Sequence, residues 1–217
     1  MPPSTLVFLA AVAVAAGFAL AALRRGDDAG FAYFKLLTTL VILVGAALLL
    51  RPAARPYRAC VTLGLALSLA GDALLVRRPP RFGAALAAFL LAHLSYLGAF
   101  SLGSPIRPDQ WPWLVPWLAV GGAVAAYAWR GLGRYRPAVL GYVAAIGVMG
   151  WRAAMRGRAP AVPRASFGLA LLGAALFVGS DAVLTVRRFR RSFPGAHEIE
   201  LALYWAAQTL IALSVRT

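Results

Sequence analysis

Eight apolar runs divide this chain, at about 4–23, 31–50, 57–76, 82–102, 110–129, 135–152, 164–186 and 198–215. Each is close to the roughly 20 residues a helix needs to cross the hydrocarbon core of a bilayer. The cuts between them carry arginine, proline, glycine and aspartate, as in Arg24-Arg25-Gly26-Asp27-Asp28 and Arg77-Arg78-Pro79-Pro80-Arg81. Eight spanning helices use about 160 residues, so residues 1–217 read as one integral membrane domain with no room for a soluble one. The fold class expected is all-α, a polytopic bundle of eight transmembrane helices. Charged residues make up only 13% of the chain, about half the share of a soluble domain. The first run is not a secretory signal: no basic residue precedes it and Arg24-Arg25 follow it.

The chain holds 22 Lys+Arg against seven Asp+Glu, and Lys35 is the single lysine. Such a positive balance can signal nucleic acid, but here the arginines sit in short clusters between apolar runs. That is where membrane proteins carry topogenic and headgroup contacts, which excludes nucleic-acid binding and makes the lipid bilayer the partner. Connections after the first, third, fifth and seventh runs hold twelve arginines, the others and the C-terminus nine. The positive-inside rule therefore puts the odd connections in the cytoplasm and both termini outside. Trp111, Trp113 and Trp117 read as an interfacial belt on the other side. The preference for Arg beside abundant Ala and Gly points to a GC-rich bacterial genome, hence a bacterial inner membrane. Cys60 stands alone, so no disulfide forms within the chain.

Asp27, Asp28, Asp109, Glu198 and Glu200 fall in loops or at helix ends, where solvation explains them. Asp72 and Asp181 do not: each lies inside an apolar run, five or six residues before an arginine pair. An ionisable group there costs about 2.5–3.5 kcal/mol even on an insertion scale, so it faces the bundle interior with a partner or a function. Runs three and seven point the same way, so at about 1.5 Å per residue both carboxyls lie some 7 to 9 Å below their arginines. Lys35 enters the second run from the same side, and either joins the carboxylates or snorkels to the headgroups. In the fourth run Phe89, His93, Tyr96 and Phe100 share one face; in the eighth Tyr204 and Gln208 do. Gly64, Ser68 and Asp72 are likewise in line in the third.

An internal echo connects these groups. Gly71-Asp72-Ala73-x-Leu75 with Arg77-Arg78 corresponds to Ser180-Asp181-Ala182-x-Leu184 with Arg187-Arg188, 109 residues later. Tyr96 and Tyr204 follow their aspartates by 24 and 23 positions. Two four-helix halves in parallel orientation, each supplying one carboxylate, would produce this pattern.

The chain resembles the lysoplasmalogenase-like YhhN family of eight-helix membrane proteins. The residues that carry the resemblance are Lys35 with Thr38-Thr39, Ser68-x-x-Gly71-Asp72, Phe89-x-x-x-His93-x-x-Tyr96, Met149, Gly173-Ala174-x-x-Phe177-x-x-Ser180-Asp181, Phe189 and Tyr204-x-x-Ala207-Gln208. One departure is Leu36, where the family's lysine is commonly followed by proline. The resemblance implies hydrolysis of the vinyl ether bond of lysoplasmalogens to a fatty aldehyde and a glycerophospho-base, with no metal or organic cofactor. The residue chemistry agrees: protonating the β carbon of a vinyl ether gives an oxocarbenium ion to which water adds. Two carboxyl groups in unlike environments can act as acid and cation stabiliser, as in glycoside hydrolysis. On this reading Asp72 and Asp181 share those roles in either order, and His93 and Tyr204 orient water or a carboxyl group. Lys35 meets the phosphate of the lysophospholipid, and Ser68, Tyr96, Ser180 and Gln208 line the substrate site. The tail is expected among Phe89, Phe100 and Phe177.

Three rival readings use the same residues. A proton-coupled small-molecule transporter also employs intramembrane Asp, His and Lys, but proline here lies almost wholly at run ends, leaving no central helix break. An intramembrane aspartyl protease needs Gly-x-Gly-Asp, whereas position 69 is Leu. A structural protein would pair its aspartates with loop arginines. A metal site from Asp72, Asp181 and His93 has no ligand spacing to support it.

Overall fold

A computed structural model describes residues 3–49 and 55–215, and every regular element in them is helical. The eight α-helices are α1 (Pro3–Arg25), α2 (Asp28–Val44), α3 (Arg55–Val76), α4 (Phe82–Ser101), α5 (Val115–Leu132), α6 (Arg136–Met155), α7 (Arg164–Phe189) and α8 (Ala196–Leu213). They follow the apolar runs, with differences at the ends that have local causes. The fifth run opens as a 3₁₀ turn, Pro108–Leu114, and turns α-helical only at Val115. Pro112 and Pro116 remove backbone donors there, and Pro116 sits where a helix tolerates it, in the first turn. At the other end of the second run α2 passes into a π-helical segment, Gly45–Leu49, where Gly45 lies flat against the Phe8 ring.

Six stretches of the described residues are long and apolar enough to cross a membrane. One is the 51-residue stretch Pro108–Arg158, which contains both α5 and α6. The helix α8 is not among them, because Glu198, Glu200 and Gln208 lower its hydropathy. It is nonetheless central, with eleven of its 18 residues buried. A polar helix is admissible at membrane depth when protein rather than lipid surrounds it. Outward faces are apolar instead: Leu6, Val7, Val14 and Phe18 on α1, and Leu63, Leu91 and Leu172 elsewhere, are all exposed. A surface of that kind is matched to hydrocarbon rather than water.

Small residues let the helices approach closely, as bilayer packing requires. A Cβ at Gly64 would lie 2.3 Å from the Tyr96 ring, and one at Gly71 would lie 2.7 Å from the Phe89 ring, so α3 and α4 are in intimate contact. At Gly173 of α7 a Cβ would come within 3.0 Å of the Ala207 carbonyl of α8. Successive helices pack in pairs, α1 on α2, α3 on α4, α5 on α6 and α7 on α8, while α2 meets α8, α4 meets α6 and α5 meets α7. Most of the core is one cluster running from Phe8 and Ile42 through Phe100 to Phe177 and Ile211.

Two arginines depart from the loop role expected of them. Helix α6 runs on to Met155, so Arg152 and Arg156 are carried into the protein, 1% and 3% exposed. Arg152 donates to the Ser104 carbonyl and, at 3.2 Å, to Gln110 Oε1. Arg156 donates to Ser166 Oγ at 3.1 Å and lies over the Tyr57 ring at 4.2 Å. Arg152 ties the end of α6 to the loop before α5, and Arg156 ties it to α3, α4 and α7, a structural task. Of the belt tryptophans, Trp111 and Trp113 are exposed and Trp117 lies against Gly150.

Candidate active site

Asp72 occupies the inner face of α3, fully buried, and both its oxygens are engaged. Lys35 Nζ, one helix away on α2, stands 2.9 Å from Oδ1, an ion pair by distance with both side chains buried. Lys35 therefore faces inward instead of snorkelling. Thr39, one turn further along α2, donates to Oδ2 at 2.7 Å, and Tyr204 of α8 donates to the same oxygen at 2.9 Å. An ammonium and two hydroxyl donors converge on this carboxyl, the environment of a carboxylate anion.

Asp181 on α7 has a different setting. Tyr142 of α6 donates to its Oδ2 at 2.8 Å, and His93 Nε2 lies 3.5 Å from the same atom. His93 Nδ1 is 2.6 Å from the Phe89 carbonyl oxygen, which can only accept, so Nδ1 carries a hydrogen. In the neutral ring Nε2 then presents a lone pair, and it makes no hydrogen bond within the protein. The imidazole is held by edge contacts to Phe177 and Tyr142, with centroids 4.6 and 5.0 Å away. Among the described residues no lysine or arginine is paired with Asp181 as Lys35 is with Asp72.

Both carboxyl groups line one small cavity with Lys35, Phe89, Ser180, Glu200 and Tyr204. Its volume is about 20 Å³, sufficient for roughly one water molecule. On the side of the arginine loops a vestibule of about 270 Å³ opens above it, sharing Lys35, Leu75, Leu184 and Glu200. Arg77, Arg78, Arg187, Arg188 and His197 surround this vestibule, with Asp28 and Glu200 as its acids. Arg78 pairs with Asp28, and Arg187 donates to Glu200 Oε2 at 2.7 Å. The predominance of arginine suits an anionic headgroup group such as a phosphate.

Of the residues the sequence groups together, Asp72, Asp181, Lys35, Tyr204 and Ser180 line the cavity, while His93 is fully buried behind it and reaches Asp181 at 3.5 Å. Ser180 lines the cavity and donates to the Glu200 carbonyl at 3.0 Å. Tyr96 and Gln208 instead bond to one another at 2.6 Å in the fully buried core, and Ser68 is sealed there too, so none of the three lines the cavity. Phe100 and Phe177 are also completely buried, the first stacked on Tyr96 and the second tilted against it, and leave no space for a tail. Glu200, expected at a solvated helix end, is instead 7% exposed and borders both cavity and vestibule. The stripe Glu200, Tyr204, Gln208 at i, i+4 and i+8 carried that signal. Tyr142 had none: it is one polar residue on an otherwise apolar face of α6, and only tertiary packing brings it to Asp181.

The described residues contain no group of three or more His, Cys, Asp and Glu able to hold a metal ion. Fold and site together define a multi-pass helical membrane protein in which a buried carboxyl group, Asp72, and a partly buried one, Asp181, line a single cavity. The chain belongs to the YhhN family, which matches residues 30–215. It is 35% identical over 159 residues to the lysoplasmalogenase TMEM86B of Sus scrofa, covering 73% of this chain and 64% of that one. The Homo sapiens lysoplasmalogenase TMEM86B is 36% identical over 154 residues, 69% of this chain and 60% of its own. The uncharacterized membrane protein YhhN of Escherichia coli O157:H7 is 32% identical over 159 residues, covering 71% and 73%. The match thus spans about three fifths of the mammalian relatives' length. No solved structure matches the chain.

Proposed function

We propose that this protein is a membrane-embedded ether hydrolase that cleaves the vinyl ether bond of lysoplasmalogens, with all eight helices spanning a bacterial inner membrane. The observation that carries the reading is the contrast between two carboxyl groups at one water-sized cavity: Asp72 accepts two hydroxyl hydrogen bonds and has an ammonium 2.9 Å away, while Asp181 faces a phenol and the lone pair of a histidine. The names of the mammalian relatives support the same substrate class.

In this mechanism Asp181 is the acid and Asp72 the anion. Asp181 gives its proton to the β carbon of the vinyl ether, and the oxocarbenium ion that forms is stabilised by the Asp72 carboxylate. Water adds to the α carbon and releases a proton to His93 Nε2. The resulting hemiacetal collapses: its hydroxyl proton returns to Asp181, the imidazolium proton goes to the departing glycerol oxygen, and the C–O bond breaks. Fatty aldehyde and glycerophospho-base leave with every catalytic group restored. Tyr142 and Tyr204 hold the two carboxyls in place through their hydroxyls. Lys35, at the boundary of cavity and vestibule, meets the lipid phosphate.

The test follows from carbon protonation. With purified protein acting on lysoplasmenylethanolamine in deuterium oxide, the aldehyde, trapped at once as an oxime, carries one deuterium on the carbon next to the carbonyl. An aldehyde without that deuterium would show that the bond is broken by another route.

A further inference from the structure

We propose that a second cavity, an apolar groove bounded by α4, α5, α6 and α7, binds the hydrocarbon chain of the lysolipid, with Val120 and Val124 of α5 lining its path towards the bilayer. The inference rests on the hydrolase reading above and adds to it the place of the tail.

The groove is lined almost wholly by apolar side chains, yet Asp181 and Tyr142 form part of its wall. Asp181 also lines the small reaction cavity, and Phe82 and Leu184 line both the groove and the arginine vestibule. Three spaces of different chemistry therefore meet at Leu184: basic above, polar and water-sized between, hydrocarbon-like to the side. A one-chain phospholipid has that order of chemistry, phosphate, then ether linkage, then alkyl chain. With the phosphate among the arginines and the chain in the groove, the ether bond falls beside Asp181.

Two observations give the groove a direction. Towards the arginine loops it ends at Phe82, whose ring meets Tyr135 and Phe189 at 5.2 and 5.6 Å, so a chain does not leave that way. Away from the loops, depth is read from the contact of Gly131 with the Phe189 backbone, which sets α5 and α7 level at those residues. Counting about 1.5 Å per residue from there, Val124 is level with Asp181 and Val120 about 6 Å deeper in the bilayer. A chain starting at Asp181 passes Val124 and then Val120. The latter is 50% exposed, which places the mouth of the groove at the lipid boundary of α5. Helix α5 makes its main contacts with α6 and α7, so the opening lies between α5 and α4.

The test compares the parent with Val120→Trp and Val124→Phe in detergent, using short-chain and long-chain lysoplasmenylethanolamine. Loss of contact for about two methylenes lowers the long-to-short ratio of kcat/KM by about tenfold in Val120→Trp. An unchanged ratio in both variants overturns the proposal. Absence of aldehyde from either substrate with the parent protein would instead overturn the hydrolase reading. A second measurement does not depend on turnover: a saturated alkyl lysolipid with a diazirine in mid-chain labels α5 and α6 residues of the groove, and Val120→Trp removes that labelling. Label spread evenly over lipid-facing helices would show that the groove holds no chain of its own.

Discussion

The Asp181→Asn protein is expected to release aldehyde about a thousandfold more slowly than the parent, the scale on which general acids contribute to proton transfer. Its folding should change little. Asparagine keeps an oxygen acceptor for Tyr142, and Asp181 has no fixed cation that would be stranded by the loss of charge. The measurement pairs aldehyde release by mass spectrometry with thermal unfolding in the same detergent. Activity lost at unchanged unfolding temperature supports a chemical role for Asp181. A parallel fall in both would mean that this carboxyl is structural.

Lys35→Met is the variant with the largest expected effect on stability. It leaves the Asp72 carboxylate buried with two hydroxyl donors but no cation, and removing one partner of a buried pair costs about 3–5 kcal/mol. Adding Asp72→Asn to it removes the stranded charge, so the double variant should regain much of the lost stability. It should not regain activity, because the anion that faces the developing cation is gone. A double variant no more stable than Lys35→Met would show that the 2.9 Å contact is not an energetic pair. The two aspartates thus give opposite patterns. Asp181 replacement separates activity from stability, and Asp72 replacement couples them unless Lys35 is replaced too.

What could be read from the chain itself was decided by the cost of charge in hydrocarbon. Asp72, Asp181 and Lys35 stood out because positive-inside bookkeeping leaves an acid in the middle of an apolar run without a reason, and all three line one cavity. His93 and Tyr204 were found by helical spacing, which tells which residues share a face. Spacing does not tell which face another helix meets. For that reason Tyr142 was missed, and Tyr96, Ser68 and Gln208 were given a substrate role although they lie sealed in the core. The aromatic residues expected to hold the tail have the same explanation: Phe100 and Phe177 are large enough to line a pocket, but their rings fill it. Arg152 and Arg156 were assigned to a loop because arginine ends most runs; backbone carbonyls, Gln110 and Ser166 receive them inside instead. The helix count behaves similarly. Eight apolar runs give eight helices, yet apolarity by itself selects six stretches, since α5 and α6 fall within one of them and α8, enclosed by other helices, is too polar to be selected.

The lateral groove and the vestibule also bear on the transporter reading. They meet at Leu184, the vestibule on the side of the arginine loops and the groove toward lipid, and the opposite end of the site is closed by Tyr96, Phe100 and Gln208. A site entered by a lipid from one side suits a hydrolase whose aldehyde product can return to the bilayer.

The most direct measurement gives the purified protein the alkenyl lysolipid and its saturated alkyl counterpart side by side and looks for fatty aldehyde by mass spectrometry. The account predicts aldehyde from the alkenyl lipid alone, because only a vinyl ether can accept a proton on carbon, and release of it slowed about a thousandfold in Asp181→Asn and strongly in Asp72→Asn. Aldehyde at the parent rate from both aspartate variants, or none from the parent itself, would contradict it.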